Sequence, residues 1–173
     1  MIRIGARRLV PAVLFATLLL MAAAPASAAD PLILPVGQGC PDFNLGISAS
    51  GGNLHTKTFL DKDGNVVRMI VAGKGVVLTY TNYGTDPSVP VAVKSVTIRT
   101  DGSVSQTRIN PDGTQTVSAT GHNGLIMFPT DVPAGPSATQ YIGRIVYNVD
   151  PVTGVFTLVS TAGSKRDICA ELA

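Results

Sequence analysis

Short runs of Val, Ile, Thr and Tyr recur along this chain, and many end at a pair such as Asp63-Gly64, Asp101-Gly102, Asp112-Gly113 or Asn123-Gly124. Such pairs adopt the left-handed backbone that tight turns between strands require. Two of them, Asp101-Gly102 and Asp112-Gly113, stand 11 residues apart, a hairpin period that predicts a half-exposed meander. Helical signals are nearly absent, since no apolar i, i+3, i+4 pattern persists and the only glutamate is Glu171. Strands are expected over 43–49, 54–60, 65–71, 76–81, 91–100, 103–109, 114–120, 125–128, 141–149 and 155–161. Strands this short, at this spacing, predict an all-β fold, an antiparallel β-sandwich, with a partly closed β-barrel as the alternative.

The N-terminal segment has a different character. Arg3, Arg7 and Arg8 precede an apolar run to Met21, and Ala26-Ser27-Ala28 follows with the small side chains a signal peptidase accepts. This three-part layout predicts a signal peptide over 1–28 and a secreted, extracellular product. The run is shorter than the ~20 apolar residues a membrane span needs and is interrupted by Pro11 and Thr17, so no membrane association is expected after cleavage. Without the three arginines, the 13 basic residues fall to 10 against 11 acidic, a formal net charge of −1. The chain's overall basicity thus belongs to the export segment, and no electrostatic case for nucleic acid remains.

Only two cysteines occur, Cys40 and Cys169. Outside a reducing compartment they are expected to form one disulfide linking the two ends of a single domain over 40–173. The chain-entropy model assigns such a long closed loop a stabilisation of about 4–5 kcal/mol. Residues 29–39 are an N-terminal tail outside this staple, either lying across a sheet edge or loose.

Residues that carry chemistry are sparse. Asp61-Lys62-Asp63-Gly64-Asn65 resembles the opening of a calcium loop, yet Val66-Val67 follow and no distal glutamate is present, so a hairpin turn accounts for it. No metal or other cofactor is expected. His55 and His122 are the only histidines. His55 falls in a strand pattern as a solvent-facing residue, whereas His122 lies in Thr120-Gly-His-Asn-Gly124, read as a turn or bulge before the apolar run Leu125-Ile-Met-Phe128. No Gly-x-Ser-x-Gly motif occurs, and a Ser-His-Asp set assembled from His122, Asp131 and a nearby serine has no support in spacing. The segment 128–137 carries three prolines, which predicts a stiff loop, either a rigid crossover between two sheets or a pre-ordered contact surface.

Several segments are similar to those of a group of small secreted proteins of high-GC Gram-positive bacteria. They are Thr58-Phe-Leu-Asp-Lys-Asp-Gly-Asn-Val-Val-Arg68, Asn110-Pro-Asp-Gly-Thr114, the stretch 121–136, Tyr141-Ile-Gly-Arg144 and Asp167-Ile-Cys169. The resemblance implies an extracellular location and one domain, and it brings no catalytic or binding residues with it.

Together these observations favour a non-catalytic binding or surface-interaction module, recognising a cell-surface protein or glycan. Its expected interaction loop includes His122, Asn123, Phe128, Asp131 and Pro133. The alternatives are a small secreted hydrolase with a site near His122 and Asp131, and an inhibitor presenting the proline loop to a protease.

Overall fold

A computed structural model describes residues 30–88 and 90–173. The signal peptide expected over 1–28 lies outside the described residues. The β-branched runs form ten strands: β1 (Leu32–Leu34), β2 (Leu45–Ser50), β3 (Asn53–Leu60), β4 (Val66–Lys74), β5 (Val77–Asn82), β6 (Lys94–Arg99), β7 (Val104–Ile109), β8 (Gln115–Met127), β9 (Ser137–Val149) and β10 (Phe156–Asp167). One short helix, α1 (Ile168–Leu172), follows. The strands build two antiparallel sheets, one ordered β1-β2-β5-β6 and the other β10-β9-β8-β7-β4-β3. The fold is therefore the expected sandwich and not a closed barrel. Of the two dispositions open to residues 29–39, the described part takes the first: β1 pairs with β2 along the edge of the smaller sheet.

Three sequence expectations change. The pair Asp101-Gly102 does not join neighbouring strands; it carries the chain from β6 in one sheet to β7 in the other. The pair Asn123-Gly124 is not a turn, because the runs expected over 114–120 and 125–128 merge into one strand, β8 (Gln115–Met127), paired along its whole length with β9. The proline-rich loop is not a crossover between sheets, since it links β8 to β9, adjacent in the larger sheet.

The chain passes between sheets at Gly51-Gly52, at Gly75-Val76 and at Asp101-Gly102, and these passages lie against one another at one corner. Thr100 donates from both its backbone N and its hydroxyl to the Val76 carbonyl, each at 2.9 Å. A side chain at Gly75 would collide with the Thr100 carbonyl, and one at Gly52 with Val76. A row of glycines extends from this corner across the larger sheet, with Gly121 paired to Gly143 and Gly143 to Gly163. All three have positive φ, +87°, +134° and +105°. Gly143 and Gly163 face the carbonyls of Ala162 and Ile142, where any side chain would clash. The strands turn about their own axes along this row. As a result Ala119 and Gly124, which strict alternation would place on opposite faces, both line the space facing the smaller sheet.

The far end is closed by covalent and capping interactions. Cys40 and Cys169 form a disulfide with Cα atoms 5.5 Å apart, beside the fully buried Leu45, Ile168 and Leu172. Asp167 caps α1 by accepting from Ala170 N at 3.0 Å. Asn82 of β5 donates to the Leu172 carbonyl at 2.9 Å, tying the helix to the smaller sheet. Arg166 donates twice to the Glu171 carboxylate, at 2.8 and 2.6 Å, and these hydrogen bonds hold that carboxyl below its ordinary value.

The glycine row separates two effects that can be measured. Gly143→Ala is expected to lose at least about 2 kcal/mol, combining a left-handed backbone with a collision. Gly113→Ala, at φ +87° with open space around it, is expected to lose only about 1 kcal/mol. Chemical denaturation checks both; equal losses would show that close backbone approach at the row is not a constraint.

Candidate functional site

The buried apolar side chains form two clusters and not one continuous core. One cluster gathers Phe43, Leu45, Tyr80, Ile98 and the helix residues Ile168 and Leu172 around the disulfide. The other gathers Ala119, Leu125, Met127, Tyr141 and Ile145 on β8 and β9, with Tyr147, Phe156 and Leu158 against it. A stability-driven core leaves few voids larger than a water molecule. Here two cavities, of about 250 and 380 Å³, open between the sheets. They share Leu78, Gly124 and Tyr147 as walls, so together they form one cleft. Leu78 projects from the inner face of the smaller sheet, beside the buried Tyr80, yet it is only partly buried.

The two ends of the cleft differ in chemistry. The larger cavity is apolar, with Leu34, Ile47, Ile126, Phe128 and Phe156 among its walls. The smaller opens at the glycine corner and carries Thr100, Ser103, Ser105, His122 and Asn123. Neither contains an aspartate, glutamate, lysine or arginine. Burial pushes the phenols of Tyr80 and Tyr147 up, so both line the cleft as neutral groups.

Polar atoms around the cleft are left without partners. His122 Nδ1 and Asn123 Nδ2 are buried, and neither has a hydrogen-bond partner among the described residues. Gln140 is fully buried; its Oε1 lies 3.4 Å from the Tyr80 hydroxyl, while its Nε2 is likewise unpartnered. A buried polar group left unpaired costs about 1–3 kcal/mol. Such orphans therefore mark places where a partner stabilises the protein.

Of the five residues expected in an interaction loop, the structure brings three to the cleft. His122 and Asn123 line its polar end and Phe128 its apolar end. Asp131 and Pro133 are not among its walls. Asp131 is buried and its carboxylate is engaged by backbone, accepting from Phe128 N at 2.6 Å and from Phe156 N at 2.8 Å. Val132 adds a short parallel bridge to Thr157, with Val132 N donating to the Phe156 carbonyl and Leu158 N to the Val132 carbonyl. The loop is thereby fastened along the outer edge of β10, covering backbone groups that would otherwise be open to pairing. Pro133 stays exposed on it, after a cis Val132-Pro133 bond.

Ser103, the serine beside His122, is not prepared as a nucleophile. Ser103 Oγ donates to the His122 carbonyl at 2.6 Å and accepts from His122 N at 3.0 Å, so its hydroxyl is held by backbone and not by the imidazole. Nucleophilic catalysis needs a base on that hydroxyl and a group orienting the base. Asp61 caps its own turn, accepting from Asp63 N and Asn65 N. Among the described residues no cluster of three or more His, Cys, Asp or Glu side chains is present.

Leu78, Gly124, Gln140 and Tyr147 carried no signal in the sequence. Gly124 stood in a strong turn pair, but its missing side chain makes room for the Tyr80 hydroxyl inside the sandwich. No protein-family model, curated protein or solved structure matches the chain.

The clamp by Asp131 is testable. Asp131→Ala leaves two backbone N–H groups unpaired and is expected to lower stability by about 2–3 kcal/mol. It should also open 128–136 to limited proteolysis. Unchanged stability together with unchanged protease resistance would show that the carboxylate does not hold the loop.

Proposed function

We propose that this protein is a secreted, non-catalytic binding module that takes a small, uncharged, largely apolar molecule into the cleft between its sheets. The observation that carries this reading is the cleft with its orphaned His122 Nδ1 and Asn123 Nδ2. Ligand sites are typically ~300–1,000 Å³, mostly apolar, with a few polar groups that fix orientation. Cavities of about 250 and 380 Å³ suit a small molecule and not a folded partner. The uncharged lining favours an uncharged ligand, because an ion there would lose its hydration without gaining a counter-charge.

Secretion belongs to this proposal. It draws on the signal layout of 1–28 and on the resemblance to small secreted proteins. It is in keeping with the Cys40–Cys169 disulfide and with the lack, among the described residues, of any helix long and apolar enough to cross a membrane. The hydrolase reading draws no support from the cleft, which holds no carboxylate, and the inhibitor reading none from a loop fastened to β10.

The test uses N-phenyl-1-naphthylamine, an uncharged apolar dye whose emission rises in dry surroundings. The wild type is expected to bind it saturably. Leu78→Trp, which fills the shared wall, should weaken binding by at least about tenfold, a change of about 1.4 kcal/mol. Thermal unfolding of both proteins verifies that the variant is folded. Failure of the wild type to bind the dye, or equal binding by a folded variant, would refute the proposal.

A further inference from the structure

The face of the larger sheet turned away from the cleft has an unusual charge distribution. Directly paired residues share a face, so the register of β3, β4, β7, β8 and β9 can be read outward. One cross-strand row runs Phe59, Arg68, Arg108, Thr116, Asn148. The next runs Lys57, Ile70, Gln106, Ser118, Val146. Arg144 stands beyond it, opposite Thr120. Four of the ten basic residues left after the export segment thus lie on one sheet face, and none of these outward positions is acidic.

The acids that flank this face are committed elsewhere. Asp61 and Asp112 sit in the end turns, where they accept from backbone N–H groups of Asn65 and Thr114. None of Lys57, Arg68, Arg108 and Arg144 takes part in an ion pair among the described residues. Instead Arg68 and Lys57 lie over the Phe59 ring, 3.9 and 5.2 Å from its centroid. Arg68 and Arg108 are direct cross-strand partners, an arrangement of like charges that costs stability in the free protein. A bound anion between them would convert that cost into a gain.

We propose that this face binds a linear acidic polysaccharide. Strand spacing places Arg144 about 10 Å across the sheet and roughly 13 Å along it from Arg108, so the cations are strung out and not focused on a single anion. Between them lie Gln106, Thr116, Ser118, Thr120 and Asn148, donors and acceptors suited to sugar hydroxyls. The only aromatic ring on these two rows, Phe59, is covered by its own cations and offers no platform for stacking bases, which separates this surface from a single-strand nucleic-acid groove. The site is separate from the cleft, on the opposite side of the larger sheet, so the two bind independently.

Binding to polygalacturonate, a linear glycan carrying carboxylates, tests the proposal, with neutral dextran, anionic phosphatidylglycerol vesicles and duplex DNA as comparison probes. The wild type is expected to bind polygalacturonate at low salt, to lose affinity as salt rises, and to ignore dextran. The double variant Arg68→Gln/Arg108→Gln should bind at least about tenfold more weakly. It should melt close to wild type, since removing the like-charge pair offsets the loss of the Arg68 contact with the Phe59 ring, and should still take up the dye in its cleft. No binding to polygalacturonate at low salt, undiminished binding by the variant, or tighter binding to vesicles or DNA than to polygalacturonate would overturn the assignment.

Discussion

Close backbone approach at one corner governs this molecule. The chain passes between its two sheets beside glycines at three places, and the carbonyls of Thr100, Ala162 and Ile142 stand where side chains on Gly75, Gly143 and Gly163 would project. Such contacts are open only to residues without Cβ. Because the passages meet there, the strands of the larger sheet rotate along the row from Gly121 to Gly163. The inner face is consequently built from different alternation phases on either side of it. The disulfide and the capped helix hold the opposite end shut. Between a bent end and a stapled end, the two apolar clusters do not merge, and the cleft occupies their junction.

This arrangement divides the chemistry of the protein by face. The space between the sheets is uncharged, with neutral phenols and unpartnered amide and imidazole nitrogens. The outward face of the larger sheet carries Lys57, Arg68, Arg108 and Arg144 without acidic partners among the described residues, while Asp61, Asp112 and Asp150 are drawn into turns. There, hydrogen bonds from the turn's own backbone and side chains lower their carboxyls below the ordinary value. A net charge near zero therefore conceals a strongly one-signed surface. The two faces suit two unlike ligands, a small apolar molecule inside and an acidic polymer outside.

Much of the architecture was legible in the sequence, and what was not has definite causes. The strand runs, the turns at Asp63-Gly64 and Asp112-Gly113 and the cysteine pairing follow from local chemistry that a sequence displays directly. Asp101-Gly102 has the same local chemistry but carries the chain between sheets, because a turn pair specifies a change of direction and not the partner strand. Asn123-Gly124 was misleading for a related reason. Glycine serves equally for a turn and for space beside a packed neighbour, and here the neighbour is Tyr80, distant in sequence. His122, Asn123 and Phe128 stood out because they flank an apolar run, and they do line the cleft. Asp131 stood out as a candidate for chemistry, but its partners, Phe128 N and Phe156 N, are backbone groups that no side-chain motif reveals. The basic face was hidden because its members lie on four strands, and only the register brings them together.

The most direct measurement of the central claim is methyl-labelled NMR of the protein with N-phenyl-1-naphthylamine bound. Intermolecular nuclear Overhauser contacts from the dye to the methyl groups of Leu78 and Ile126, with none to Ile70 on the outer face, are the expected result. Contacts confined to exposed residues such as Val91 or Val93, with Leu78 silent, would show that the space between the sheets admits no ligand and would contradict the account.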